Sequence, residues 1–267
     1  MRFQFSTARV DPLEVTVRPI QQSPVWIAEE VTLRFPGEEL ATLYIVSPRA
    51  HRKPLQPIIY GPPQNCCNLK RPNRNTLEQL RVAEFVVNSG RALVMPIWWN
   101  SYERWLPPAL DADARTDVQR KEALAWQRDL SVALDYLESR DDVDAKKAGY
   151  LGFSRGATYN AIELAIEPRL KAAVLLSGGI SVAEPIHPML DLVNYAPRIG
   201  VPVLMINGRF DHIFPYTQSQ KRLFDLLGTP ATKKSHIVYD GGHFTYPPNS
   251  VARDASNWFD QHLGSVY

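Results

Sequence analysis

Short, nearly continuous apolar runs recur along the chain and alternate with stretches of helical periodicity. The runs Pro57 to Tyr60, Ala92 to Pro96, Ala148 to Leu151, Ala172 to Leu176, Val203 to Asn207 and Ile237 to Tyr239 contain few polar positions. That is the pattern of strands covered on both faces. The longest helix is predicted over Arg120 to Ser139, where Leu124, Leu130, Leu134 and Leu137 fall close to one face and Arg128, Asp135 and Glu138 mainly on another. Further helices are predicted at Leu77 to Asn88, Ala157 to Ile166, Ser219 to Leu227 and Ala252 to His262. This alternation predicts an α/β fold with a mostly parallel sheet and right-handed crossovers. The amino-terminal third differs. Leu13 to Val17, Val31 to Phe35 and Leu40 to Val46 read as antiparallel edge strands, the last two joined at Pro36-Gly37.

Directly after the run ending at Leu151 comes Gly152-Phe153-Ser154-Arg155-Gly156. A serine between two glycines at a strand-to-helix junction reads as a nucleophile elbow, in which small flanking residues permit a tight reversal and the hydroxyl is left projecting above the sheet. Two glycines around a serine also occur in ordinary loops, so the partners matter. A serine hydroxyl needs a base to take its proton, and that base needs a carboxylate to set its tautomer. Asp211 follows the run Val201 to Ile206, and His243 follows the run His236 to Tyr239. Each lies just past the carboxyl end of a predicted strand, the edge at which open parallel sheets bind ligands. Taken alone, each is more often structural than catalytic, Asp211 as the cap of a helix beginning near Pro215 and His243 as a loop residue among glycines. Order and placement together favour a Ser154, Asp211, His243 triad. Asp240 is the second candidate carboxylate, and its closeness to His243 in sequence works against it.

A tetrahedral intermediate needs two backbone N–H groups for its oxyanion. Arg155, immediately after the nucleophile, is one candidate. The other belongs to the loop after Pro57 to Tyr60. There Pro62 and Pro63 have no N–H, which leaves Gln64, with Asn65 as an alternative. Trp98, Trp99, Tyr102 and Trp105 leave the same sheet edge and are the candidate substrate-binding residues, against a reading as core and loop packing. Phe153 is expected to pack beneath the elbow. The segment Gly178 to Gly200 reads as an irregular insertion and a candidate flap.

The chain resembles the α/β-hydrolase domain found attached to bacterial serine/threonine protein kinases, which is itself similar to dienelactone-hydrolase-like esterases. The likeness includes the elbow, the run from Ser89 to Ile97 with Tyr102-Glu103-Arg104, Asp135 to Arg140, Asn207 to Pro230, Gly242-His243 and the stretch from Trp258 to Val266. It covers the chain from about Asp11 onward. Where relatives tend to carry Pro-Gly-Ser, this chain has Pro62-Pro63-Gln64. No kinase signature is present, so the reading is of a free-standing relative or an excised hydrolase domain. The resemblance implies an α/β-hydrolase fold, serine hydrolase chemistry and the triad Ser154, Asp211 and His243.

Composition narrows the alternatives. At 267 residues with 45% hydrophobic content, one α/β-hydrolase domain is expected. A net charge of +2 without a basic run argues against a nucleic-acid partner. No stretch approaches the ~20 apolar residues that span a bilayer. The start Met1-Arg2-Phe3-Gln4-Phe5 lacks a signal-peptide core, and the two cysteines, Cys66 and Cys67, are adjacent and read as reduced thiols. A cytoplasmic protein is expected. The six histidines show no metal-ligand spacing, with His187, His212 and His262 read as structural or exposed, and no cofactor is expected. The expected activity is that of a carboxylesterase on small acyl or aryl esters. An acyltransferase or peptidase using the same residues, and a non-catalytic regulatory or ligand-binding module, remain as alternatives.

Overall fold

Alternate side chains of a strand leave opposite faces of its sheet, so a strand that is apolar at every position must be covered twice. The computed structural model of the protein, which describes residues 12, 14–35, 40–51, 53–64, 84–107, 111–182, 186–244 and 247–266, meets that demand. Its strands are β1 (Glu14–Gln22), β2 (Trp26–Arg34), β3 (Leu40–Pro48), β4 (Pro57–Gly61), β5 (Ala92–Pro96), β6 (Gly149–Phe153), β7 (Ala172–Leu176), β8 (Val203–Gly208) and β9 (Lys234–Tyr239). They form one nine-stranded sheet in the order β1-β2-β3-β5-β4-β6-β7-β8-β9. The pairs from β1 through β3 to β5 are antiparallel. Those from β5 through β4 to β9 are parallel. The expected antiparallel amino-terminal edge on a parallel sheet is therefore present. The predicted hairpin turn at Pro36-Gly37, residues 77–83 of the predicted helix, Asn65 and the two cysteines lie outside the described residues.

Helices cover both faces. Ile59, Val94, Tyr150, Leu175 and Met205 pack on one side, against Ala123, Trp126, Leu130 and Leu134 of α2 (Ala112–Glu138). Ile58, Leu93, Leu151, Val174 and Leu204 pack on the other, against Val86 and Val87 of α1 (Glu84–Asn88) and Ala255 and Phe259 of α5 (Pro248–Leu263). Neighbouring residues of one strand thus enter different cores. Each large aliphatic or aromatic side chain buried in this way contributes about 1.5–3 kcal/mol. Between these helices lie α3 (Arg155–Thr158), continued as a 3-10 turn over Asn160–Ala165, and α4 (Lys221–Leu226), which follows a π turn over Tyr216–Gln220.

α2 corrects the sequence reading in two ways. It starts at Ala112, where Asp111 caps it by accepting from the Ala114 N–H at 2.8 Å. Its first two turns are polar and largely exposed, so no apolar periodicity marks them. Leu124 is 48% exposed, whereas Leu130, Leu134 and Leu137 are buried. Six residues at about 100° each carry Leu124 some 120° away from Leu130, off the buried face. Glu122, Gln127 and Asp129 are buried instead.

A clamp closes the sheet edge opposite the strand ends that carry the site. Arg91, fully buried, donates to Gln56 Oε1 (2.9 Å), Asp260 Oδ1 (2.7 Å) and the Gly264 carbonyl (3.1 Å). Gln56 Nε2 donates to the Leu263 and Gly264 carbonyls, each at 3.0 Å. The last carbonyls of α5, which have no partner within a helix, are satisfied in this way.

Candidate active site

In a parallel run of strands the carboxyl ends share one edge, so residues that follow β6, β8 and β9 converge there. Ser154 follows β6 with φ 51° and ψ −105°, a backbone conformation that costs a side-chain-bearing residue about 1–3 kcal/mol. The surrounding hydrogen bonds hold it. Ser154 N–H donates to the Leu176 carbonyl of β7 (2.9 Å), and Gly156 N–H to the Pro62 carbonyl after β4 (3.1 Å). The Tyr150 hydroxyl donates to the Gly156 carbonyl (2.7 Å). A Cβ on Gly156 would collide with the carbonyl of Gly61. The elbow thus sits backbone to backbone against the end of β4.

Asp211 lies in the turn after β8. Its Oδ1 accepts from the N–H groups of Ile213 (2.8 Å) and Phe214 (3.0 Å), and its Oδ2 lies 2.7 Å from His243 Nδ1. Asp211 therefore closes its turn with one oxygen and meets His243 with the other. Burial alone would raise its pKa. The hydrogen bond from His243 and the N–H groups of Phe214 and Ile213 outweigh that, so Asp211 sits below its ordinary value. An ionised carboxylate only accepts, which places the His243 proton on Nδ1 and leaves Nε2 as acceptor. Ser154 Oγ is 2.9 Å from that Nε2. All three side chains are buried. Asp240, the other candidate carboxylate, is largely exposed and pairs with Arg209 at 2.9 Å.

Several supports went unnoticed in the sequence. Ser177, immediately after β7 and with φ 49°, donates its hydroxyl to the His243 carbonyl at 2.6 Å. Gln220 Nε2 donates to the Gly208 and Phe214 carbonyls, each at 2.8 Å, and so secures the turn of Asp211. The His243 ring is flanked by Phe214 and Phe244, with centroids at 5.7 and 4.3 Å, and by Phe153 at 6.4 Å. Phe153 is thus a neighbour of the His243 ring. Only the position of Ser177 just past a strand end marked it in the sequence.

A cavity of about 270 Å³ has Arg155 and Gln64 in its wall together with Trp105, Trp126, Glu122 and Leu190, and none of Ser154, Asp211 and His243. Of the four aromatic candidates, Trp105 alone lines it. Trp98 is fully buried and donates its indole N–H to the Tyr60 carbonyl at 3.1 Å, so no substrate reaches it. Trp99 packs on the core, its N–H held by Asp129 Oδ2 at 2.7 Å. Tyr102 is buried with its hydroxyl 3.7 Å from Met95 Sδ. Arg104 donates to Asp129 Oδ1 at 2.8 Å and to the Ile97 carbonyl at 2.7 Å. In the described part of the Gly178 to Gly200 segment, Met189, Leu192 and Tyr195 are buried in the core and Leu190 reaches the cavity.

The Arg155 guanidinium turns away from its backbone toward α2. It pairs with Glu122 at 2.9 Å and lies over the Trp126 ring, 4.7 Å from its centroid. Asn100 donates to the same Glu122 oxygen at 2.8 Å. Among the described residues no group of three or more His, Cys, Asp or Glu side chains is placed to hold a metal ion, and no helix is long and apolar enough to cross a membrane.

Residues 77–245, which include Ser154, Asp211 and His243, match the Dienelactone hydrolase family. The chain belongs to that family. Within reach of this dienelactone hydrolase family member are two uncharacterized proteins of Mycobacterium tuberculosis strains, each 34% identical over 129 residues, 43% of this chain and 44% of the relative. A carboxymethylenebutenolidase homolog of Xenopus tropicalis is 27% identical over 138 residues, 51% of each protein. The chain thus spans about half the length of the curated relatives it matches. Among solved structures, a cold-adapted esterase from an Arctic intertidal metagenomic library superposes with a TM-score of 0.70 at 22% identity, covering 91% of this chain and 97% of its own. Acetyl xylan esterase 1 from Thermoanaerobacterium sp. gives 0.64 at 16% identity, with 94% and 88% covered. These likenesses identify the α/β-hydrolase fold.

Proposed function

We propose that this member of the dienelactone hydrolase family is a serine carboxylesterase acting on small acyl or aryl esters. The observation that carries the reading is the line of hydrogen bonds from Ser154 Oγ through His243 to an ionised Asp211, at 2.9 and 2.7 Å. Ser154 Oγ attacks the ester carbonyl while its proton passes to His243 Nε2. The negative charge goes to the former carbonyl oxygen, held by the N–H groups of Arg155 and Gln64. Collapse breaks the carbon–oxygen bond to the alcohol, which leaves with the proton from Nε2 and an acyl group on Ser154. Water then adds by the same route, yielding the acid and restoring the serine. Throughout, Asp211 stabilises the imidazolium.

Esterases among the solved structures of this fold support an ester carbonyl as the target. Peptide-resolved mass spectrometry after fluorophosphonate treatment is the direct test. An adduct on Ser154 is expected in the wild type and a strongly slowed one in His243→Ala. A folded protein that never labels at Ser154 overturns the esterase reading in favour of a non-catalytic binding module. Asp211→Asn should lower kcat by about 10³–10⁴-fold toward a 4-nitrophenyl ester, because an amide no longer fixes the Nδ1–H tautomer. A loss below tenfold would count against the assigned orienting carboxylate.

A further inference from the structure

β7 supplies no member of the triad, yet its last residue and the one after it reach toward all three. The Leu176 carbonyl accepts from the Ser154 N–H at 2.9 Å. Ser177 N–H donates at 2.9 Å to the carbonyl of Ile206 in β8, the strand whose following turn carries Asp211. The Ser177 hydroxyl donates to the His243 carbonyl at 2.6 Å. Among the described residues no other hydrogen bond reaches the main chain of His243. His243 stands in an irregular turn after β9, outside any helix or strand. Its ring has to meet Asp211 Oδ2 at 2.7 Å and Ser154 Oγ at 2.9 Å together.

The residue type at 177 carries information of its own. Its φ of 49° lies in the left-handed region, where glycine is unstrained and a residue with a Cβ is not. The turn has little room to drift. A Cβ on Gly178 would lie 2.6 Å from the Cβ of Ala157 in α3, and the Gly178 carbonyl is held by Asn207 Nδ2 at 2.8 Å. Serine thus keeps a strained backbone where glycine would relax it, and what it adds over glycine is the hydroxyl. Ser177 is fully buried, so that hydroxyl serves the interior of the protein.

Resting on the esterase reading, we propose that Ser177 is a positioning residue that acts through His243. Its hydroxyl ties the main chain of the base to the end of β7, and the Leu176 carbonyl ties the main chain of the nucleophile to the same point. One dipeptide therefore sets the approach of Nε2 to Oγ. The Ser177 hydroxyl takes no part in the proton transfer. A displacement on the order of 1 Å between reacting groups can cost about 100-fold in rate, so loss of the hydroxyl should act on kcat and spare KM.

The test is a series at position 177 in the whole chain. Its readouts are KM and kcat for 4-nitrophenyl acetate per Ser154 titrated with fluorophosphonate, the rate of Ser154 labelling, and the melting temperature. Ser177→Gly and Ser177→Ala both remove the hydroxyl, and each should lower kcat and the labelling rate about tenfold or more, with KM within about twofold of wild type. Ser177→Gly relaxes the backbone and should melt above Ser177→Ala. Ser177→Thr keeps the hydroxyl on a β-branched residue that suits this backbone poorly, so it should melt below wild type yet recover most of kcat. Activity then departs from the order of stability, which a purely structural role does not produce. Should Ser177→Thr fail to fold, the other two variants decide. Ser177→Gly within about twofold of wild type in kcat and labelling, or kcat that follows melting temperature across the series, overturns the positioning role and leaves the esterase reading standing. If the wild type labels without hydrolysing the acetate, the labelling rates decide by the same criteria. A wild type that neither labels at Ser154 nor turns over overturns the esterase reading, and the positioning role falls with it.

Discussion

Asp211 shows how one side chain can satisfy a local and a distant demand. Its Oδ1 closes the turn after β8 through two backbone N–H groups, and its Oδ2 orients His243. The turn is thus rigid for the same reason that the carboxylate is held ionised. Gly156 answers a steric demand of the same kind. Even one methyl there would meet the carbonyl of Gly61, a backbone atom of a central strand. Gly156→Ala is therefore expected to cost about 3 kcal/mol or more, the severe end of overpacking, because neither backbone can yield. Urea unfolding measures this, and a change below about 1 kcal/mol would show that the elbow can shift. Gly156 was legible in sequence as part of the motif. Its partner Gly61, far away in the chain, was not.

At the scale of elements, two departures from simple patterning stand out, one on α2 and one on β9. α2 turns Glu122 and Asp129 inward, and these carboxylates hold Arg155, Arg104 and the Trp99 N–H. A period-3.6 reading of leucines registers them as interruptions of an apolar face. β9 carries His236, which lies between the rings of Tyr216 and Phe224 and donates from Nε2 to Asn207 Oδ1 at 3.0 Å. Burial pulls His236 from 6.5 down to about 4. As pH falls below 6.5 the unfolded chain takes up this proton and the folded chain does not, so stability is lost between pH 6.5 and about 4. The loss should approach ~2 kcal/mol, discounted from the full shift because the ring is partly exposed. A His236→Gln variant should flatten that part of the stability profile relative to wild type. Parallel profiles from denaturant melts at pH 7, 5.5 and 4.5 would refute the assignment.

For the whole molecule, the site and the Arg91 clamp lie at opposite ends of the parallel strands. Arg91 joins the start of β5, Gln56 before β4 and the end of α5. Its removal uncovers Asp260 and the terminal carbonyls of α5 without touching the edge that carries Ser154, Asp211 and His243. Arg91→Ala should accordingly lower stability by about 1–3 kcal/mol, the cost of leaving buried acceptors unsatisfied, since Asp260 is 34% exposed and can be rehydrated. Thermal unfolding reports the loss, while kcat per active site, counted by fluorophosphonate titration, should stay within twofold of wild type. A fall in kcat matching the loss of stability would mean that the two ends are coupled through the sheet.

The linear pattern already contained the parallel sheet, its antiparallel amino-terminal edge and the order Ser154, Asp211, His243. Strand burial and elbow geometry are local demands, written in continuous apolar runs and in small residues beside a serine. Which of the aromatic candidates reach the cavity was decided only by packing. Trp98, Trp99, Tyr102 and Trp105 are near neighbours in sequence, yet three turn into the core and one reaches the cavity. The cavity wall joins Arg155 to Glu122 across a separation of 33 residues. No periodicity encodes such a contact, because it exists only once α2 has been laid across the sheet beside the elbow.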